Sequence, residues 1–123
     1  MQKAAKREIL KVVDDYKKGC FRGDYVMLRS VFHEKAVCCG FWESQMVLGK
    51  PDLFIQGIAA APTMESLERD YHLDVDQVFI MDDIASVIVT ESGFGGDQRL
   101  VDCFHLIRDD GMWFITSKLF TTC

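Results

Sequence analysis

The sequence predicts an α+β fold, with helices gathered in the first half of the chain and a strand meander in the second. Two observations lead there. Apolar residues recur at helical spacing in the early segments, at Ala5, Ile9, Val12, Val13, Tyr16 and Cys20, with lysines and acids on the other face. From Tyr71 onward the pattern becomes extended segments separated by turn residues, which places consecutive strands side by side and antiparallel.

The elements follow in order. The first helix runs to Cys20, with Gly19 ending or kinking its last turn. Gly23-Asp24 then reads as a stop followed by an N-cap, where Asp24 accepts from the free amides of a second helix, Tyr25 to Val31. A strand is expected over Ala36 to Trp42 and a second extended piece over Glu43 to Leu48. Pro51 suits the first turn of a third helix, where its missing N–H costs nothing. Phe54, Ile55, Ile58 and Ala59 form that helix's apolar stripe, and Pro62 stops it. Strands follow over Tyr71 to Met81, Ile84 to Thr90, Leu100 to Arg108 and Met112 to Thr121.

Composition narrows the class. With 123 residues there is room for one domain, residues 1–123, and 49% hydrophobic residues suffice for a core without disulfide or metal. The net charge of -5 and the lack of a basic tract with interleaved aromatics argue against nucleic acid. The basic run Lys3, Lys6, Arg7, Lys11, Lys17, Lys18 is interleaved with Glu8, Asp14 and Asp15 and reads as a solvated helix face. No stretch is apolar enough for a membrane span, and the first residues are polar rather than leader-like. The five cysteines lack C-x-x-C spacing, and Cys20, Cys38 and Cys103 sit among apolar neighbours as small hydrophobes; a cytoplasmic setting is expected.

The last hairpin carries the sharpest expectation. Read with a three-residue loop, Asp109-Asp110-Gly111, it pairs Arg108 with Met112, Leu106 with Phe114, Phe104 with Thr116 and Asp102 with Lys118. One face then holds Leu100, Asp102, Phe104, Leu106, Phe114, Thr116, Lys118 and Phe120. The other holds Val101, Cys103, His105, Ile107, Trp113, Ile115, Ser117 and Leu119. Both faces are largely apolar, so the helices cover one and a second copy of the chain is expected on the other, through Val101, Cys103, His105, Ile107, Trp113 and Ile115. Asp102 opposite Lys118 is either a structural ion pair or a polar anchor at the floor of a pocket. A two-residue loop would shift the register by one and remove this pairing.

The chain resembles a known family at Val101-Asp102-Cys103-Phe104-His105-Leu106, at Arg108-Asp109-Asp110-Gly111-Met112-Trp113-Phe114-Ile115 and at Lys118-Leu119-Phe120-Thr121. Tyr16, Gly19, Gly23-Asp24, Leu28 to His33, Ala36, Gly40 and Gly49-Lys50-Pro51-Asp52 agree with it in order and spacing. It is similar there to the putative lumazine-binding family, within the nuclear-transport-factor-2-like (NTF2-like), or SnoaL-like, superfamily. The resemblance implies a cone-shaped, curled antiparallel sheet and three helices around a pocket (a cystatin-like α+β barrel roll), usually as a homodimer through the outer sheet face. It also implies that Tyr16 matches the hydrogen-bond-donating tyrosine of ketosteroid isomerases and Asp102 their protonated acid. Their general base falls near Gly40, which cannot abstract a proton.

Candidate roles follow. Asp102, Tyr16 and Lys118 form the candidate catalytic or anchoring set, and Phe32, Trp42, Phe54, Ile58, Phe104 and Phe120 the candidate ligand wall, suited to a flat, partly polar organic molecule. The expected function is small-molecule binding without cofactor or metal. The alternatives are a SnoaL-like acid–base enzyme and a homodimeric module whose cavity its own side chains fill. His33 reads as a capping or surface residue and His105 as an interface residue. His72, Asp74 and Asp76 are too loosely placed for a metal site, and Cys38 reads as an inert thiol. Phe94, between Gly93 and Gly95-Gly96, reads as a loop aromatic that could flap over a pocket mouth or pack on a partner.

Overall fold

A computed structural model describes residues 2–123, with three helices and one six-stranded sheet. The helices are α1 (Gln2–Arg22), α2 (Tyr25–Val31) and α3 (Asp52–Ala60). The strands are β1 (Phe32–Trp42), β2 (Gln45–Gly49), β3 (His72–Met81), β4 (Ile84–Phe94), β5 (Gln98–Asp109) and β6 (Met112–Thr122). Spatial order is β2-β1-β6-β5-β4-β3. The sheet is mixed rather than wholly antiparallel, because β1 runs parallel to β6. β1 begins at Phe32 rather than Ala36, since Phe32 already pairs with Ile115 across that junction. No helix among the described residues is long and apolar enough to cross a membrane.

Local chemistry explains the helix ends. Asp24 caps α2 by accepting a 3.1 Å hydrogen bond from the Met27 amide. Pro51 precedes α3 at φ -68, and Ala61 turns extended one residue before Pro62. The helices bury Ile9, Val13, Tyr16, Leu28 and Ile55 against the inner sheet face.

The β5–β6 hairpin differs from expectation. Its loop is Asp110-Gly111, both at positive φ (51 and 79), so Asp109 pairs with Met112 and Leu106 with Ile115. Two left-handed residues make the turn whose twist suits a two-residue hairpin. Trp113 (5% exposed) and Ile115 (0%) therefore belong to the core and not to the outer face. Phe114 moves outward beside Ile107. A bulge at Thr116 then moves the register one residue further, so that His105 meets Ser117 and Phe104 meets Lys118, and the original facing of the side chains is restored. Lys118 and Phe120 thus return to the inner face, and Asp102 stands opposite Phe120.

Candidate functional site

The inner sheet face carries three ionisable residues with almost no solvent contact: Glu91 (0% exposed), Asp102 (0%) and Lys118 (2%). Asp102 lies on β5, opposite Val89 of β4, one alternation from Glu91. Lys118 lies on β6 and donates to Asp102 Oδ1 diagonally across the β5–β6 ladder. The expected Asp102–Lys118 contact therefore exists, but through the bulge rather than by direct opposition.

Two phenols complete the cluster. Tyr71 donates to Glu91 Oε1 at 2.5 Å, and Tyr16, from α1, donates to Glu91 Oε2 at 3.2 Å. Burial, the Asp102 charge and a hydrogen bond with Asp102 push the Glu91 carboxyl well above the ordinary carboxylate range, against the pull of Lys118 and Tyr71. Asp102 Oδ2 is buried and has no hydrogen-bond partner among the described side chains. Burial would strip the Lys118 proton, but Asp102 and Glu91 outweigh it and raise that group's pKa. Burial raises both tyrosines as well, so they remain donors. The cluster thus sets one buried ammonium against two buried carboxyl groups and two phenols. This arrangement satisfies the high cost of isolated buried charge.

Aromatic rings close over it. The Lys118 ammonium lies 4.5 Å from the Phe120 ring centroid, 5.0 Å from Phe54, 5.7 Å from Tyr16 and 5.9 Å from Phe104. These are cation–π distances. Phe32 meets Tyr16 edge-on at 6.4 Å and Trp42 meets Phe94 edge-on at 6.1 Å. Phe32 and Phe104 are buried, while Trp42, Phe54, Ile58 and Phe120 are half-buried against the core. The six residues expected to line a cavity are thus all core-packed. Three larger clefts, of about 620, 420 and 370 Å³, lie on the surface and are lined by none of Glu91, Asp102 and Lys118.

Other candidates fall elsewhere. His33 bonds Asp109 at 2.9 Å on the surface, and His72 bonds Asp70 at 2.8 Å. No group of three or more metal-ligating side chains occurs among the described residues. Burial raises the Cys38 thiol, in keeping with an inert role. Phe94 is not a loop aromatic; it ends β4, is 8% exposed, stacks on Phe54 and meets Tyr71 and Trp42 edge-on. At Gly40 (φ 156) an added Cβ would sit 1.9 Å from the Phe120 carbonyl oxygen, so β1 has no room there for a carboxylate side chain.

Glu91 is the site residue that sequence reasoning missed. The signal was the alternation Ala85, Val87, Val89, Glu91 along one strand, all four buried. Ending that strand at Thr90 hid it.

Comparisons with known proteins agree with this architecture. The chain has 19% identity to an NTF2-like protein of unknown function from Shewanella baltica (TM-score 0.88), covering 100% of this chain and 97% of that one. It has 24% identity to one from Silicibacter pomeroyi (TM-score 0.89; 100% and 99% covered). It has 16% identity to a ketosteroid isomerase-like protein from Erwinia carotovora (TM-score 0.67; 94% of each chain covered). At these identities the likeness is one of fold. No curated protein matches the sequence. The family model described as "Putative lumazine-binding" matches residues 4–121, and the chain belongs to that family.

Proposed function

We propose that the protein binds a small, flat, partly polar organic molecule between α3 and the inner sheet face, with Glu91, Asp102, Lys118 and Tyr16 as its polar anchors. One observation carries this reading: three ionisable residues, each at most 2% exposed, share one spot with two buried phenols beneath a ring wall. A core built only for stability does better with apolar residues, because desolvation offsets most of the Coulombic gain. Ligand sites combine such convergent polar groups with aromatic walls. The rings above the cluster are half-buried at Trp42, Phe54 and Phe120, so entry requires side-chain movement rather than unfolding. The test is density beside Lys118 in crystals soaked with flat oxo-heterocycles, lumazine among them. A planar molecule touching Lys118 or Glu91 supports the reading; rings closed in every soak contradict it.

An acid–base enzyme is the second reading, favoured by the proton held on Glu91 beside Asp102. Glu91 would donate to a ligand oxygen, with Tyr16 orienting it and the Asp102–Lys118 pair stabilising charge. One structural neighbour is ketosteroid isomerase-like by name. Asp102→Asn should abolish any turnover found; an unchanged rate removes Asp102 from the mechanism.

The outer sheet face supports a homodimer. Phe41 (46% exposed), Phe79 (55%), Ile84 (53%), Ile107 (43%) and Leu119 (50%) spread an apolar surface across it, beside the half-buried Val101 and Cys103. Sedimentation should report a dimer, and Leu119→Glu should shift it to monomer; a wild-type monomer overturns the assignment.

A further inference from the structure

We propose that Phe54 is an internal plug standing in the ligand's own place, and that the ligand it gives way to is a flat, electron-rich aromatic ring system seated on the Lys118 ammonium. The inference rests on the binding reading above and adds the ligand's class and the moving part.

The geometry is specific. Phe54 is stacked between two rings, Tyr16 at 6.1 Å with planes 13° apart and Phe94 at 6.4 Å with planes 16° apart. The three rings form one row of near-parallel planes, and the middle member comes from α3. Tyr16 is on α1 and Phe94 on β4, both fully packed, whereas Phe54 is half-buried on a nine-residue helix that buries only Ile55. The N-cap of α3 makes no side-chain hydrogen bond, and the helix contains Gly57, so little fixes it locally. If Phe54 swings outward, the slot left between Tyr16 and Phe94 has parallel aromatic walls and admits a planar ring.

The floor of that slot selects its guest. Lys118 Nζ lies 5.0 Å from the Phe54 centroid and 4.5 Å from Phe120, so a ring replacing Phe54 sits over an ammonium. Asp102 holds that ammonium in position from below. A cation attracts the negative face of an electron-rich ring and repels the reversed quadrupole of a perfluorinated one. Glu91 is next to this floor, so a polar edge on the guest finds an acidic proton there.

The test uses three probes by calorimetry: phenol, indole and hexafluorobenzene, against the wild type, Phe54→Ala and Phe54→Leu. Phe54→Ala should bind phenol and indole on the order of tenfold or more tighter than wild type, as engineered apolar cavities accept flat guests. Phe54→Leu, which keeps most of the packing, should lie between. Phenol and indole should exceed hexafluorobenzene by about 2- to 30-fold. That preference should vanish when Asp102→Asn and Lys118→Met are added together. Equal binding of phenol and indole by wild type and both Phe54 variants would leave the binding site standing and overturn the plug. Tighter binding by Phe54→Ala with no preference against hexafluorobenzene would overturn the ligand class. Absence of binding in folded Phe54→Leu and Phe54→Ala overturns the proposal, and if the soaks also leave wild type empty the binding reading falls with it.

Discussion

Tyr71 donates a 2.5 Å hydrogen bond to Glu91 Oε1, tying the segment that leads into β3 to a carboxyl with no exposure to solvent. Because Glu91 Oε1 is buried, losing the phenol leaves a polar atom without its partner. Tyr71→Phe should therefore cost about 1–3 kcal/mol. Urea unfolding measures it, and the cost should shrink in a Glu91→Gln background if the two residues act as a pair.

The same carboxyl gives stability a pH dependence of defined sign. Glu91 is raised well above its ordinary value of 4.5, so the folded state holds a proton that the unfolded state releases once pH passes that value. Stability is then fully present below about pH 4.5 and declines as pH rises toward the folded-state value. Glu91→Gln should remove that slope between about pH 5 and 8, where Lys118, Tyr16, Tyr71 and Cys20, all raised from values of 9.0 or more, contribute none. Chemical denaturation at several pH values checks it; an unchanged slope in the variant contradicts it.

The Asp102–Lys118 pair should behave asymmetrically. Lys118→Met alone leaves a buried carboxylate beside Glu91 and should cost about 3–5 kcal/mol. Adding Asp102→Leu removes the orphaned charge and should recover most of that loss. A double variant no more stable than the single one would show that packing, and not charge, dominates at this position.

Gly40 should be intolerant of any side chain. Its φ of 156 and the 1.9 Å approach of an added Cβ to the Phe120 carbonyl place backbone against backbone, with no flexible group to yield. Gly40→Ala should lower stability by more than about 2 kcal/mol, or abolish folding, because β1 and β6 must separate. Thermal unfolding and soluble yield report it.

Sequence reasoning succeeded where local chemistry decides. Asp24 fixes the start of α2 and Pro62 lies just beyond the end of α3, and both boundaries were readable. It failed where tertiary pairing decides. The first residues of β1 are extended because β6 lies beside them, which no local signal reports. The Asp110-Gly111 turn, read as part of a three-residue loop, was nonetheless legible as a two-residue hairpin signal. The Thr116 bulge was not, and it alone returns Lys118 to Asp102. The two one-residue shifts add to two, which returns each side chain to its expected face, so Asp102 and Lys118 were found while Trp113 and Ile115, between the shifts, were assigned to the wrong face. Glu91 was lost because an acid following β-branched residues resembles a strand end. The phenols that make its burial tolerable come from α1 and from the approach to β3, both distant in sequence.

The most direct measurement is the melting temperature of the wild type and of the Asp102→Leu/Lys118→Met pair across a panel of flat aromatic compounds, lumazine included. Binding at the polar cluster predicts that at least one compound raises the wild-type midpoint by several degrees at about 100 times its Kd. It also predicts that the same compound leaves the double variant unmoved. A panel that shifts neither protein, or a shift that persists undiminished without the two charges, would contradict a ligand site at Glu91, Asp102 and Lys118.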